Sequence, residues 1–391
     1  SQPLLSRSQS LPRDFDDLLS AAMVDELVAE RGLRAPFIRV AKEGHLVARD
    51  RYLGPAGFGA EIADQVDSAK VFAEFAAGAT LVLQGLHRLW PPLIDFVRDL
   101  VDDLGRPVQA NAYITPPGGR GFDPHYDVHD VFVLQTAGQK HWTIHAPVHA
   151  DPLASQPWTD HRDAIARRAR DKPFLDIVLG PGDALYLPRG WIHSAEAHEE
   201  TSIHLTIGVS PLTALDFVRA VVDQLEHDEH FRRSVPLGVG GADQDNLTAT
   251  VSKIVAELGD TLRERGDTLS DGAAASVTHR LARDTRPVPV RPLAGLAAID
   301  NAGSVDVGWR RGLLATAGRR SERFELRLSD RTITFPLSCE QAVTALWEGL
   351  IANASGLPGL DAADGEVLVR RLLREGVVVA ADAGKNPPDP D

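Results

Sequence analysis

The sequence predicts a mainly β core with α additions, arranged as a double-sheet jelly roll. Three observations predict it. Short strand-like runs recur near 108–115, 125–135, 140–145, 175–179, 183–187 and 202–209, with Gly/Pro turns between them, as in antiparallel sandwiches. The flanks on both sides carry apolar residues at helical spacing instead. The densest grouping of metal-ligating side chains, His125 and Asp127 with His193 farther on, falls inside the strand-rich stretch.

Taken in order, residues 1–13 lack a charged-then-apolar leader pattern and read as a flexible lead. Residues 14–31 read as one or two helices, 36–40 as a strand, and Ser68 to Ala77 as a helix capped by Ser68. Thr80 to Gln84 reads as a strand. Residues 91–104 form an amphipathic helix opened by Pro91 and Pro92 and ended by Gly105. After the strand region come a long amphipathic helix at 212–232, a Gly-rich break at 236–241, and helical runs at 244–266 and 270–283. Residues 284–293 are Pro-rich and read as a linker. A mixed unit follows, with strands at 322–328 and 331–335, helices at 339–353 and 361–375, a strand at 377–380, and a disordered tail after Gly384.

The chain has 391 residues, room for two or three domains. Its formal charge of −14 argues against nucleic acid as the main partner of the whole surface and suits a basic protein partner. Seven arginines face three acids in 310–331, but acids crowd the start of the helix at 361–375, which argues against direct DNA binding. A single cysteine, Cys339, excludes an intrachain disulfide framework and fits a reducing, cytoplasmic setting. No stretch of about 18 apolar residues predicts a membrane-crossing helix.

The chemistry concentrates in NAYITPPGGRGFDPHYDVHDVFVLQTAGQKHWTIH, residues 111–145. Side chains two apart on a strand point the same way, so His125 and Asp127 share a face and Tyr126 packs away from it. With His193, after GPGDALYLPRG, they match the two-histidine, one-carboxylate set that holds a non-haem Fe(II) with open positions. A lone H-x-D arises by chance in any long chain. A tight turn at Ala137-Gly138 predicts a hairpin with Gln135 opposite Lys140, which aims Lys140 toward the side of His125 and Asp127. A lysine aimed inward needs an anionic partner. His129, His141, His145 and His149 are spread out and form no second metal site; His204 reads as a core histidine, and 150–173 as a helical excursion over the barrel mouth.

The motifs NxYxTPPGxxGFxPHYD, DVFxLQxxGxKxW and GDxLYxPRGxxH resemble the JmjC-type cupin oxygenases that use Fe(II), 2-oxoglutarate and O2, and among them the bacterial ribosomal oxygenases. The match is dense from about Asn111 to Ser210. The resemblance implies that His125, Asp127 and His193 ligate iron and that Lys140 binds the distal carboxylate of 2-oxoglutarate. Asn111, Tyr113 and Thr206 would line the co-substrate and substrate pocket. It further implies a catalytic domain at 1–211, a helical dimerisation segment at 212–285 and a winged-helix-like domain at 286–391. The implied activity is hydroxylation of an arginine or histidine side chain on a ribosomal protein by a cytoplasmic homodimer. The alternatives are a 2-oxoglutarate oxygenase of another peptide or natural product, a cupin dioxygenase that does not use 2-oxoglutarate, and a non-catalytic cupin binding protein.

Overall fold

A computed structural model describes residues 1–59, 61–237, 239 and 244–381. Half of the expected Gly-rich break and the tail after Gly384 lie outside them. The chain forms two compact units, Ser1–Pro211 and Leu212–Asp391.

The first unit opens with β1 (Leu4–Ser6), α1 (Ala21–Ala29), β2 (Ile38–Lys42), β3 (His45–Leu46), β4 (Leu53–Gly54) and β5 (Gln65–Val66). Then come α2 (Ser68–Ala76), β6 (Thr80–Leu83), α3 (Pro91–Leu104), β7 (Val108–Thr115), β8 (Asp130–Ala137) and β9 (Lys140–His145). It closes with α4 (Arg162–Arg168), β10 (Leu175–Leu179), β11 (Ala184–Leu187), β12 (Ile192–Ala197) and β13 (Ser202–Val209). An eight-stranded sheet, ordered β1-β11-β8-β13-β7-β6-β2-β3, packs with a three-stranded sheet, β10-β9-β12. This is the predicted jelly roll.

Alternation along β7 and β13 divides the large sheet's two faces. Val108, Ala110, Ala112 and Ile114, with Ile203, Leu205, Ile207 and Val209, join one apolar core with Leu27 of α1, Val71 of α2 and Val97 of α3. The alternate residues, among them Tyr113, His204 and Thr206, face the other way, into the sandwich. There Val131, Val133, Trp142, Ile144, Leu185 and Leu187 form a second apolar cluster. α3 starts and ends where the prolines and Gly105 predict, Gly105 taking φ +59.

Several expectations are corrected. The first residues do not trail: β1 pairs with β11, and Arg7 ion-pairs with buried Asp183 at 2.7 Å, whose other oxygen accepts the Ser8 N–H at 2.9 Å. Helix α1 begins only after Ser20, whose hydroxyl caps the Met23 N–H, and Asp67 rather than Ser68 caps α2. The strand expected at 125–135 starts at Asp130, so His125 and Asp127 precede it. β12, which carries His193, was not anticipated.

The largest correction concerns β8 and β9, which are not a hairpin. β8 pairs with β11 and β13, β9 with β10 and β12, so the chain changes sheets between Ala137 and Lys140. The corner needs Gly138: at φ +61 its Cβ would stand 2.1 Å from the Thr201 carbonyl oxygen. The Gln135 amide binds the corner by donating to the Ala137 and Gly138 carbonyls and to Ser202 Oγ.

The second unit begins with α5 (Ala214–Asp223), α6 (Glu229–Arg232), α7 (Gln244–Thr285) and α8 (Pro292–Asp300). The single helix expected at 212–232 is broken at Asp228, whose extended backbone ends one turn and whose carboxylate caps the next. α7 is kinked at Arg265. Part of the expected linker is helix α8, which places Pro292 in its first turn, where a missing N–H costs nothing. Next come β14 (Val307–Trp309), β15 (Thr316–Arg320), β16 (Arg323–Arg327), β17 (Thr332–Pro336), α9 (Glu340–Trp347), α10 (Ala362–Arg374) and β18 (Val378–Ala380). β15-β16-β17 form one sheet and β14-β18 another, around a core that includes Phe324, Leu346, Leu368 and Val378. α9 is shorter than the run expected at 339–353.

Gly138→Ala should lower stability by about 3 kcal/mol through strain and the Thr201 clash, read as a lowered denaturant midpoint. A midpoint within error of wild type would show that the corner relaxes freely.

Candidate metal centre

His125 sits in an isolated antiparallel bridge with His193 of β12. The His125 N–H donates to the His193 carbonyl at 3.1 Å, and the His193 N–H returns to the His125 carbonyl at 2.8 Å. Residues directly opposed in this way project to the same side. The rings lie 4.5 Å apart between centroids. Each ring is anchored at Nδ1, His125 to the Asp123 carbonyl at 2.7 Å and His193 to the Trp191 carbonyl at 3.1 Å. Carbonyls only accept, so both Nδ1 atoms carry a proton, which leaves Nε2 as the ring atom that would ligate a metal. Asp127 follows His125 by two residues, its Oδ2 3.7 Å from His193 Nε2. Ligand atoms of the three lie within 4.8 Å of one another, so the structure brings together the predicted triad. Tyr126 between them is buried and points away, donating to the Gln156 carbonyl at 2.9 Å.

The electrostatics suit a cation. Burial pushes the Asp127 pKa up, but His193 and then His125 outweigh it and hold the carboxyl below its usual range. Burial and the neighbouring His125 pull His193 down to about 4, against the attraction of Asp127. Two imidazoles and one carboxylate, with no fourth His, Cys, Asp or Glu in the cluster among the described residues, make a three-ligand set with open positions. No such cluster includes His129, His141, His145 or His149 among the described residues.

The triad opens onto a cavity of about 540 Å³, mouth included, lined also by Tyr113, Val133, Lys140, Trp142, His204 and Thr206. Lys140 and Val133 face each other because the inner faces of the two sheets do, not because their strands pair. Lys140 is 3% exposed and donates to Thr115 Oγ1 at 2.9 Å; Thr115 in turn contacts Thr80 Oγ1 at 3.2 Å. No carboxylate pairs with Lys140 among the described residues, and burial pulls its pKa down to about 7. Burial likewise lifts Tyr113 to about 12, with Asp127 adding to the rise. Tyr113 and Thr206 reach the cavity. Asn111 does not: it faces the same side of β7, but its carboxamide oxygen accepts the Gly85 N–H at 3.0 Å. Thr80, Thr115 and His204 were not picked out as site residues. The i, i+2 alternation from Tyr113 and Thr206 was the available signal for the last two.

Part of the excursion after β9 reaches the site. Trp158 lies 6.1 Å from the His125 ring, and Arg162 stacks over Trp158 at 4.8 Å.

His193→Ala should abolish stoichiometric binding of Fe(II) or Co(II) in a metal titration of the folded protein. Undiminished binding would place the metal elsewhere.

Residues 93–217 match the family model described as the JmjC domain. Among curated proteins, Ribosomal oxygenase 1 of Rattus norvegicus is 35% identical over 175 residues, 43% of this chain and 29% of that protein. The bifunctional lysine-specific demethylase and histidyl-hydroxylase NO66 of Drosophila persimilis is 45% identical over 101 residues, 26% of this chain and 14% of that protein. The chain thus spans less than a third of the length of these two relatives. Among solved structures, the Escherichia coli ribosomal oxygenase YcfD superposes with a TM-score of 0.52 at 17% identity, over 97% of this chain and 94% of that one. A YcfD structure in complex with cobalt and succinic acid also gives 0.52, at 16% identity over 97% and 95%. With its sandwich, its His-Asp-His cluster and this match, the segment from 93 to 217 is a JmjC domain.

Proposed function

We propose that this protein is an Fe(II)- and 2-oxoglutarate-dependent hydroxylase of a protein side chain, its substrate an arginine or histidine of a ribosomal protein. The observation that carries the reading is the pairing, in one cavity, of a three-ligand metal cluster with a buried lysine that has no carboxylate partner among the described residues. The donor set fits Fe(II), and the Lys140 end fits the distal carboxylate of a dicarboxylate. The names of the relatives, and the cobalt and succinic acid of the YcfD complex, support the same choice.

When bound, iron, O2 and 2-oxoglutarate supply an oxidative decarboxylation that places a hydroxyl on a C–H bond. The chain's own residues do the rest. His125, Asp127 and His193 would hold the metal, the two imidazole rings fixed by the Asp123 and Trp191 carbonyls. Lys140, steadied by Thr115, meets the distal carboxylate. Val131, Val133 and Trp142 keep the inner wall dry. Tyr113 and Thr206 belong to the same pocket; Asn111 is assigned to supporting the Gly85 turn. Phe122 at the cavity wall and Trp158 near His125 are where a peptide would lie.

The reading includes a homodimer through residues 212–285, supported by the exposed apolar side chains Phe217, Val218 and Val222 on α5 and Val251, Ile254 and Val255 on α7. Residues 286–391 then act as a winged-helix-like unit that contacts protein rather than nucleic acid. Its exposed β15 arginines are matched by acids, as in the Arg319–Glu340 pair at 2.7 Å. A cytoplasmic setting follows from a ribosomal substrate. No helix among the described residues is long and apolar enough to cross a membrane.

Incubating host ribosomal proteins with the enzyme, Fe(II), 2-oxoglutarate and O2 should add one oxygen to one residue by mass spectrometry, and a His125→Ala control should add none. Succinate formed without protein modification would overturn the ribosomal substrate; neither product from iron-loaded protein would overturn the 2-oxoglutarate chemistry.

Lys140→Ala should weaken 2-oxoglutarate binding by about a hundredfold while leaving metal content unchanged. The pH profile carries its own sign. With its pKa at about 7, Lys140 is a neutral amine in the free protein above that pH, so binding the anion takes up a proton. Affinity should therefore fall as pH rises from 7 to 9, by up to about tenfold per unit, and Lys140→Arg should flatten the profile. A flat wild-type profile would show that the ammonium is not what meets the anion.

A further inference from the structure

The cavity wall carries one enclosed polar ring that neither the metal triad nor Lys140 accounts for. His204 lies on β13, directly across from Tyr113 of β7 on one side and Gln135 of β8 on the other. Its ring stacks on Tyr113 with centroids 5.0 Å apart and planes 2° from parallel, and meets Trp142 nearly edge-on at 5.3 Å. It is 3% exposed and lines the cavity that Lys140 and the triad share. Two flanking rings therefore hold its orientation, yet its Nδ1 has no hydrogen-bond partner among the described residues. The Trp142 indole N–H beside it is unpartnered as well.

A buried polar atom without a partner costs free energy in the empty protein, and such atoms are uncommon enough to call for a reason. Water in the cavity is one such reason and a ligand is the other. The ring's chemistry favours the ligand. Burial, then the Lys140 charge, then His193, keep His204 neutral, with its pKa well below the usual histidine value. A neutral imidazole offers one N–H donor without adding a second positive charge next to Lys140. A carboxylate held by Lys140 has lone pairs to spare, since it offers about four acceptor sites and Lys140, already donating to Thr115, cannot fill them all.

Resting on the function proposed above, we propose that His204 is a specificity residue for the co-substrate. Its ring N–H and the Lys140 ammonium together grip the distal carboxylate of 2-oxoglutarate, so the pocket selects a keto diacid over a keto acid lacking that group.

The test uses the full chain loaded with Mn(II) and isothermal titration calorimetry with two probes. These are 2-oxoglutarate and 2-oxobutyrate, which keeps the keto acid and lacks the distal carboxylate. His204→Phe preserves a ring to stack on Tyr113 and removes the donor. It should raise the dissociation constant for 2-oxoglutarate by about tenfold or more and leave that for 2-oxobutyrate unchanged. His204→Asn, which keeps an N–H donor on a smaller side chain, should recover part of the loss, and His204→Leu replaces the Phe variant as the donor-free form if that fails to fold. Equal weakening of both probes would make His204 a packing residue and overturn the proposal. No change in either would assign the nitrogen to water and overturn it too. A wild type that prefers neither probe would locate the failure in the proposed function, and the His204 assignment would fall with it.

Discussion

Two backbone hydrogen bonds between His125 and His193 are the constraint on which the site depends. They convert a separation of many residues in sequence into a directly opposed pair, with both rings on one side of the bridge. A second device repeats on each side of the bridge: each imidazole reaches back two residues to a carbonyl, Asp123 for one and Trp191 for the other. Tautomer and ring direction are thereby fixed before any metal arrives, and Asp127 needs only its two-residue offset to join them. Behind this arrangement lies ordinary packing. Tyr126 anchors the ligand segment to Ile165 and Ile192, so the residue between two ligands holds the segment that presents them.

The interior beyond the triad is costly by design of its polarity. Lys140 is buried, and its hydrogen-bond partner among the described residues is a threonine hydroxyl, a weak counterpart for an ammonium. In the absence of an anion such a group tends toward its neutral form rather than sustaining an unpaired charge. The cavity thus stores unsatisfied polarity at one end and unsatisfied coordination at the other, and a molecule with a chelating head and an anionic tail resolves both at once.

Much of this was legible in the sequence, for physical reasons that can be named. Six strand runs and the α3 helix were visible because period-2 and period-3.6 patterns report burial directly, and because Pro91, Pro92 and Gly105 punctuate the helix by rules of backbone geometry. The triad was legible because a His-x-Asp pair and a later histidine fell together in one strand-rich stretch. What was not legible depended on pairing. A turn signal at Ala137-Gly138 looks alike whether the strands return to each other or pass to a second sheet, and only the approach of Thr201 to Gly138 tells the cases apart. The inward direction of Lys140 survived that error because both arrangements send alternate residues to the same interior. β1 was missed because a three-residue strand carries almost no periodic signal, and Asn111, expected in the pocket, stays out of the cavity lining because its carboxamide is turned to the Gly85 N–H. The helix α8 was hidden by prolines that break a helix inside but open one at its start.

The pairing of β1 with β11 has a consequence for how the chain folds as it is made. Leu4 finds its partner, Tyr186, only about 180 residues later, which at synthesis rates of roughly 5–20 residues per second leaves the segment waiting some ten seconds or more. The other edge of the same sheet, β2 and β3, also comes from the first fifty residues, yet joins the strands that complete it through β6 and β7 much sooner. One border of the sheet is thus laid down early and the other only after Leu187. Until Ala184–Leu187 has been made, β1 has no partner and β8 lacks its β11 neighbour, so half-made chains carry unpaired strand edges, the surface on which strand-mediated misassembly begins.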